Sequence, residues 1–170
     1  MKFRQSILLI LIPLFLAPTL AFALTPDEQF LAARDAARAG DRAKLERLAP
    51  LLQGHELEAY VEYWQLLPDL KDSDPATVQA FLGRHENSYI AEKLRTDWLR
   101  QLARKQQWSV FDSEYPRLAQ ADQELACQAL QSRRVQGDPR VLDDALPLWL
   151  TLLEPPEPCY PILEALIIDK

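Results

Sequence analysis

Little in this 170-residue sequence carries reactive or flexible chemistry: four glycines, two cysteines, two histidines and one methionine, Met1. So few glycines leave almost nothing for a phosphate-cradling loop. No P-loop, dinucleotide fingerprint or G-x-S-x-G nucleophile turn is present. The same scarcity excludes a collagen-like chain, and a hydrophobic content of 48% excludes a disordered one. Two cysteines are too few for a disulfide-dense miniprotein, and Cys127 and Cys159 stand too far apart for a zinc motif. His55-Glu56 opens like a zinc-protease helix, but residue 59 is Ala59 where the second histidine would stand. His55 and His85 are therefore expected to be solvated side chains at helix ends. Positive charge is also short, with 19 Lys+Arg against 25 Asp+Glu and a net charge of -6. A chain with that balance lacks the basic excess that displaces counterions from phosphates, so no nucleic-acid partner is expected.

Long hydrophobic runs are limited to the first residues. Met1-Lys2-Phe3-Arg4-Gln5 is a short basic start, Ile7 to Leu20 is apolar, and Ala21-Phe22-Ala23 ends the run with small residues at alternate positions. This is the three-part pattern of a secretory signal peptide, with cleavage after Ala23. The run is shorter than a spanning helix needs, and Pro13 and Pro18 would break an anchor. The expectation is an exported chain with no membrane contact after cleavage. In an oxidising compartment Cys127 and Cys159 either form a disulfide or remain as two buried thiols; a bridge would stabilise the fold by about 3–4 kcal/mol.

What remains, residues 24–170, reads as one helical-repeat domain. Gly40, Ser73, Gln106 and Gly137 mark turns 33, 33 and 31 residues apart. Seven positions before the markers stand Ala33, Leu66, Leu99 and Leu130, and five after them Leu45, Val78, Phe111 and Leu142. Apolar residues in constant register on both sides of a turn describe a helix–turn–helix unit. A period near 33 is that of tetratricopeptide-like solenoids. Pro50, Pro116 and Pro147 follow three of the markers by ten residues. The fold expected is all-α: a right-handed superhelical array of antiparallel helix hairpins with about nine helices. They are drawn at 26–39, 41–52, 56–71, 75–86, 88–105, 107–115, 121–136, 139–153 and 159–168. Asp74 and Asp138 are expected N-caps, with Pro75 and Pro139 just inside the helices they open. The proline-rich stretch from Glu154 to Pro161 reads as an extended connector. The apolar segment Ile162–Ile168 ends the chain with no polar capping repeat. That reads as a truncated array, or as a surface for oligomerisation or docking of another chain.

Paired acids at Glu56/Glu58, Asp72/Asp74 and Asp143/Asp144 fall at helix starts and turns, where they favour the dipole or face water. They are expected not to be catalytic. Tyr60, Tyr63 and Trp64 lie three and four apart on one helix. Such a stripe suits either a core or a platform for stacking sugar rings.

Several segments resemble the helical region of large soluble lytic murein transglycosylases. They are Pro26-Asp27-Glu28-Gln29-Phe30, the run from Leu57 to Leu66, and the leucine-alanine-arginine helix from Leu99 to Trp108. Cys127 and Cys159 match two positions that this family's helical domain also carries. The resemblance implies a periplasmic protein concerned with peptidoglycan. It implies a superhelical α-domain accompanied, in the family, by a separate lysozyme-like catalytic domain. The family's glutamate-serine motif, its glycine-leucine-methionine-glutamine segment and its asparagine-alanine-glycine-proline motif have no counterpart between Leu24 and Lys170. No catalytic, cofactor-binding or metal-ligating residue is assigned. The expected role is a non-catalytic scaffold that contacts peptidoglycan or a periplasmic protein. The alternative is a self-contained periplasmic adaptor of tetratricopeptide type.

Overall fold

The computed structural model describes residues 24–169; the expected signal peptide, residues 1–23, lies outside them. Nine α-helices and no strand occur among the described residues. They are α1 (Pro26–Ala39), α2 (Arg42–Leu48), α3 (Glu58–Leu66), α4 (Pro75–Arg84), α5 (Tyr89–Arg104), α6 (Trp108–Glu114), α7 (Gln123–Val135), α8 (Val141–Thr151) and α9 (Tyr160–Asp169). The helices form two layers. The odd-numbered ones stack in succession, α1 on α3, α3 on α5, α5 on α7 and α7 on α9. The even-numbered ones fill in behind, α2 against α3, α4 against α5, α6 against α7 and α8 against α9. Each unit touches its neighbours along one axis, which is the construction of a solenoid.

The turns explain the phase of the repeat. Gly40, Gly54 and Gly137 have φ of 70°, 77° and 78°, a left-handed conformation in which a Cβ costs energy. Gln106 adopts φ 55° in the corresponding turn despite its side chain. The backbone N–H of Gln107 reaches back to the Leu102 carbonyl at 2.9 Å and closes that turn. Ser73 differs: it is extended, because the turn after α3 is a 3-10 segment, Leu67–Asp72. Such segments also follow α2 (Ala49–Leu52) and α6 (Tyr115–Arg117) and precede α9 (Glu157–Cys159), each with a proline in its first two positions. Proline has no N–H for the α-helical bond, and the chain tightens to the shorter pattern. Pro147 departs from its counterparts Pro50 and Pro116, lying inside α8 rather than ending it.

At helix starts, Thr25 and Glu28 form a reciprocal capping box on α1, while Ser88 and Asp122 cap α5 and α7 through their side chains. Asp74 precedes α4 as expected but makes no side-chain cap bond. Asp138 instead accepts from the Arg140 N–H at 2.9 Å, so Pro139 stays in a turn and α8 begins at Val141. His55 and His85 also differ from expectation, being packed rather than solvated. His55 stacks on Phe30 with ring centres 5.5 Å apart, and His85 lies 4.6 Å from Phe81.

The core runs through three clusters. Ala33, Ala36, Leu45, Leu52 and Val61 join α1 to α3, and a larger group around Trp98, Phe81 and Phe111 joins α3 to α7. Cys127, Val141, Ala145 and Ile162 help join α7 to α9. Each of the three large rings of the central group, fully buried, contributes about 1.5–3 kcal/mol. The Cys127–Cys159 disulfide (Cα–Cα 4.9 Å) fastens the turn before α9 to α7. α9 buries Ile162, Leu163 and Leu166, and leaves Ile167 and Ile168 exposed. No helix among the described residues is long and apolar enough to cross a membrane.

Candidate functional site

The odd-numbered layer carries an open groove of about 510 Å³ between α1, α3 and the start of α5. Phe30, Leu57, Tyr60, Trp64 and Tyr89 provide its apolar and aromatic wall, and Arg34, Arg38 and Lys93 its charges. No carboxylate lines it. Helical spacing produces this arrangement: Arg34 and Arg38 are one turn apart on α1, Tyr60 and Trp64 on α3, and Tyr89 and Lys93 on α5.

Trp64 sits 5.4 Å from Phe30 and 6.3 Å from Tyr60, centre to centre. Tyr60 and Trp64 are half-buried, and Tyr89 is 72% exposed. Tyr63 is 4% exposed, so it belongs to the wall and offers no face for stacking. Its hydroxyl donates to Asp97 at 2.8 Å, and Lys93 Nζ lies 3.4 Å from the same carboxylate and 5.6 Å from the Tyr63 ring centre.

This triad fixes the protonation of the groove's edge. Burial, then the Asp97 hydrogen bond, pushes the Tyr63 phenol above the ordinary tyrosine value. Burial pulls Lys93 down, but its contacts with Tyr63 and Asp97 more than offset that and hold it above the usual lysine value. Both groups hold their protons more tightly folded than unfolded. Their contribution is therefore complete below about pH 10 and is lost as the pH rises through the folded values. Thermal unfolding followed by circular dichroism should show a midpoint that falls above about pH 10. Tyr63→Phe should lessen that fall; an undiminished fall in the variant would place its origin elsewhere.

One acid of each pair is held in a local contact. Glu58 accepts from the Gly54 N–H at 2.7 Å, Asp72 pairs with Lys105 at 2.6 Å, and Asp144 pairs with Arg133 at 2.6 Å. Lys105 holds the Asp72 carboxyl below the usual carboxylate range through its hydrogen bond. Among the described residues no group of three or more His, Cys, Asp or Glu side chains could hold a metal ion.

Sequence reasoning missed one acid. Glu114, the last residue of α6, is 1% exposed and borders a second cavity of about 300 Å³. Arg95 Nη1 donates to its Oε2 at 2.5 Å, Gln79 Nε2 donates to Oε1 at 2.9 Å, and Arg117 Nη1 lies 3.5 Å from Oε1. Both oxygens are engaged by donors, which leaves neither free to face a substrate. Glu114 thus acts as a bolt through α4, α5 and α6. The signal available in the sequence was its place three residues after Phe111, on the buried side of the helix.

The fold is an α-solenoid of helix hairpins. No family model matches the chain, and no curated protein sequence does. Among solved structures it is similar to the 70-kDa soluble lytic transglycosylase in complex with bulgecin A, with a TM-score of 0.73 and 21% identity over 85% of this chain. It is also similar to the 70-kDa soluble lytic transglycosylase Slt70 of Escherichia coli, with a TM-score of 0.72 and 23% identity over 86% of this chain. The chain spans 23% and 24% of the lengths of those two proteins. At such identities the likeness is one of fold.

Proposed function

We propose that this helical array is a non-catalytic module of the lytic-transglycosylase type, working in the periplasm as a scaffold that holds peptidoglycan glycan strands. The fold shared with a soluble lytic transglycosylase over 85% of the chain is the observation that carries this reading. The groove adds to it, because Tyr60 and Trp64 present aromatic rings on which sugar rings stack. Glycoside cleavage needs a carboxyl within reach of the leaving oxygen, and Glu114 is tied to Arg95 and Gln79 instead. Incubating the exported protein with peptidoglycan sacculi provides the test. The protein should sediment with the sacculi and release no soluble anhydromuropeptides. Failure to sediment, or release of such fragments by this chain alone, would refute the proposal.

A second reading is a periplasmic adaptor for a protein partner, favoured by the exposed Trp149 and Leu150 at the end of α8 and Leu153 just beyond it. Substituting Leu150 and Leu153 with Ser should leave sedimentation with sacculi intact under the first reading, and abolish capture of a protein partner under the second.

A further inference from the structure

A cleft of about 400 Å³ opens between the end of α5, the start of α6, α7 and the turn before α9. It shares no lining residue with the groove between α1, α3 and α5. Arg104 and Glu157 are the charged residues of its lining, and among the described residues neither makes an ion pair or a side-chain hydrogen bond. Each stands at a helix end that suits its sign, Arg104 in the last turn of α5 and Glu157 in the first turn of the 3-10 segment. That accounts for each charge alone. It does not account for the amides that share the cleft. Gln128 is 6% exposed, and its Oε1, like that of Gln131 three residues further along α7, is buried without a hydrogen-bond partner. A buried acceptor with no donor destabilises the fold unless something supplies one. Gln106 adds a third amide. Its φ of 55° is the left-handed conformation that Gly40 and Gly137 take at the corresponding turns. Glycine would relax that backbone, but it has no side chain to place on the cleft, which Gln106 lines.

Half-buried Trp108 and Pro158 give the cleft its carbon-rich side. The walls are tied together covalently, because Cys127, beside Gln128, is bridged to Cys159, beside Pro158. Such a tie fixes the site before a ligand arrives. An ammonium group has three N–H donors and no acceptor, which matches two amide oxygens and the Glu157 carboxylate. A carboxylate matches the Arg104 guanidinium in charge and in planar geometry. A neutral sugar would supply hydroxyl donors but leave both ions unanswered. We infer that this cleft binds a small zwitterion, a free α-amino acid with an apolar side chain. Its ammonium lies on Gln128, Gln131 and Glu157, its carboxylate on Arg104 and Gln106, and its side chain on Trp108 and Pro158. The inference goes beyond the glycan-holding reading and does not depend on it.

The test titrates the exported protein with leucine, with isoamylamine, which lacks its carboxylate, and with isocaproate, which lacks its ammonium. Calorimetry gives the affinities and chemical-shift mapping the site. Leucine should bind at least about tenfold more tightly than either analogue, since each lacks one charged hydrogen-bonding group. Arg104→Gln should remove most of the advantage over isoamylamine and leave isoamylamine itself unaffected. Glu157→Gln should do the same with respect to isocaproate. Both positions are exposed, so the fold tolerates the changes. Gln106→Gly should weaken leucine binding several-fold yet raise the unfolding temperature, because the turn loses its strain. Shifts should centre on the side-chain amides of Gln128 and Gln131 and on the Trp108 indole, a readout that needs no variant. Equal affinities for leucine and either analogue would overturn the zwitterion, and shifts centred elsewhere would overturn the site. No saturable binding of leucine would overturn the inference outright. Each of these results leaves the glycan-holding reading where sedimentation with sacculi puts it.

Discussion

Glu114→Ala should lower the free energy of unfolding by about 3–5 kcal/mol, the cost of stranding a buried charge. Removing the carboxylate leaves Arg95, itself 7% exposed, without its nearest counter-ion, and its Nε already has no hydrogen-bond partner. Glu92 Oε1 is 3.7 Å away and partly exposed, too distant to replace a 2.5 Å contact. The junction of α4, α5 and α6 would loosen together, because Gln79 on α4 loses its acceptor at the same time. Replacing both charges, as Glu114→Leu with Arg95→Met, should recover most of the loss, since a packed apolar pair avoids desolvating two ions. Urea denaturation monitored by circular dichroism measures both variants. A loss under about 1 kcal/mol in the single variant would show that solvent already compensates Arg95.

The second large effect concerns the disulfide. Cys127→Ala with Cys159→Ala should destabilise the protein by about 2–5 kcal/mol. The closed loop spans 32 residues and contains all of α8. Hydrogen exchange should show lost protection in α8 and α9 first, with α1 to α6 little changed, because stacked units depend chiefly on their neighbours. The intact protein should weigh about 2 Da less than its reduced form, one hydrogen per bridged sulfur. Two thiols alkylated in the native protein would refute the bridge. Uniform loss of protection would refute the localisation.

Much of this architecture was legible in the sequence, because solenoid turns are punctuated by residues with few alternatives. Gly40 and Gly137 occupy left-handed positions that β-carbons resist, and the apolar register around them survives in buried Ala33, Leu45, Leu99, Val78 and Phe111. Leu66 and Leu142 hold the same register but are only half-buried. The details of the junctions were less legible. Whether an aspartate caps a helix or closes a turn depends on which N–H it meets, and Asp138 meets that of Arg140. The Arg95–Glu114 pair was hidden because its partners lie on different helices, and pairing across a fold leaves no periodic trace. The groove's charged side escaped notice for a related reason. Arg34, Arg38 and Lys93 look like ordinary solvated charges until α1 and α5 bring them to either side of Trp64.

The serial stacking of the odd-numbered helices has a mechanical consequence. Layers joined only to their neighbours yield under tension one link at a time, and the weakest link sets the force. The buried cluster that joins α1 to α3, with Ala33 and Ala36 among its members, is the smallest of the three, whereas the covalent clasp guards the opposite end. Stretched between its ends, the array should peel from its leading hairpin and keep the α7–α9 unit folded longest.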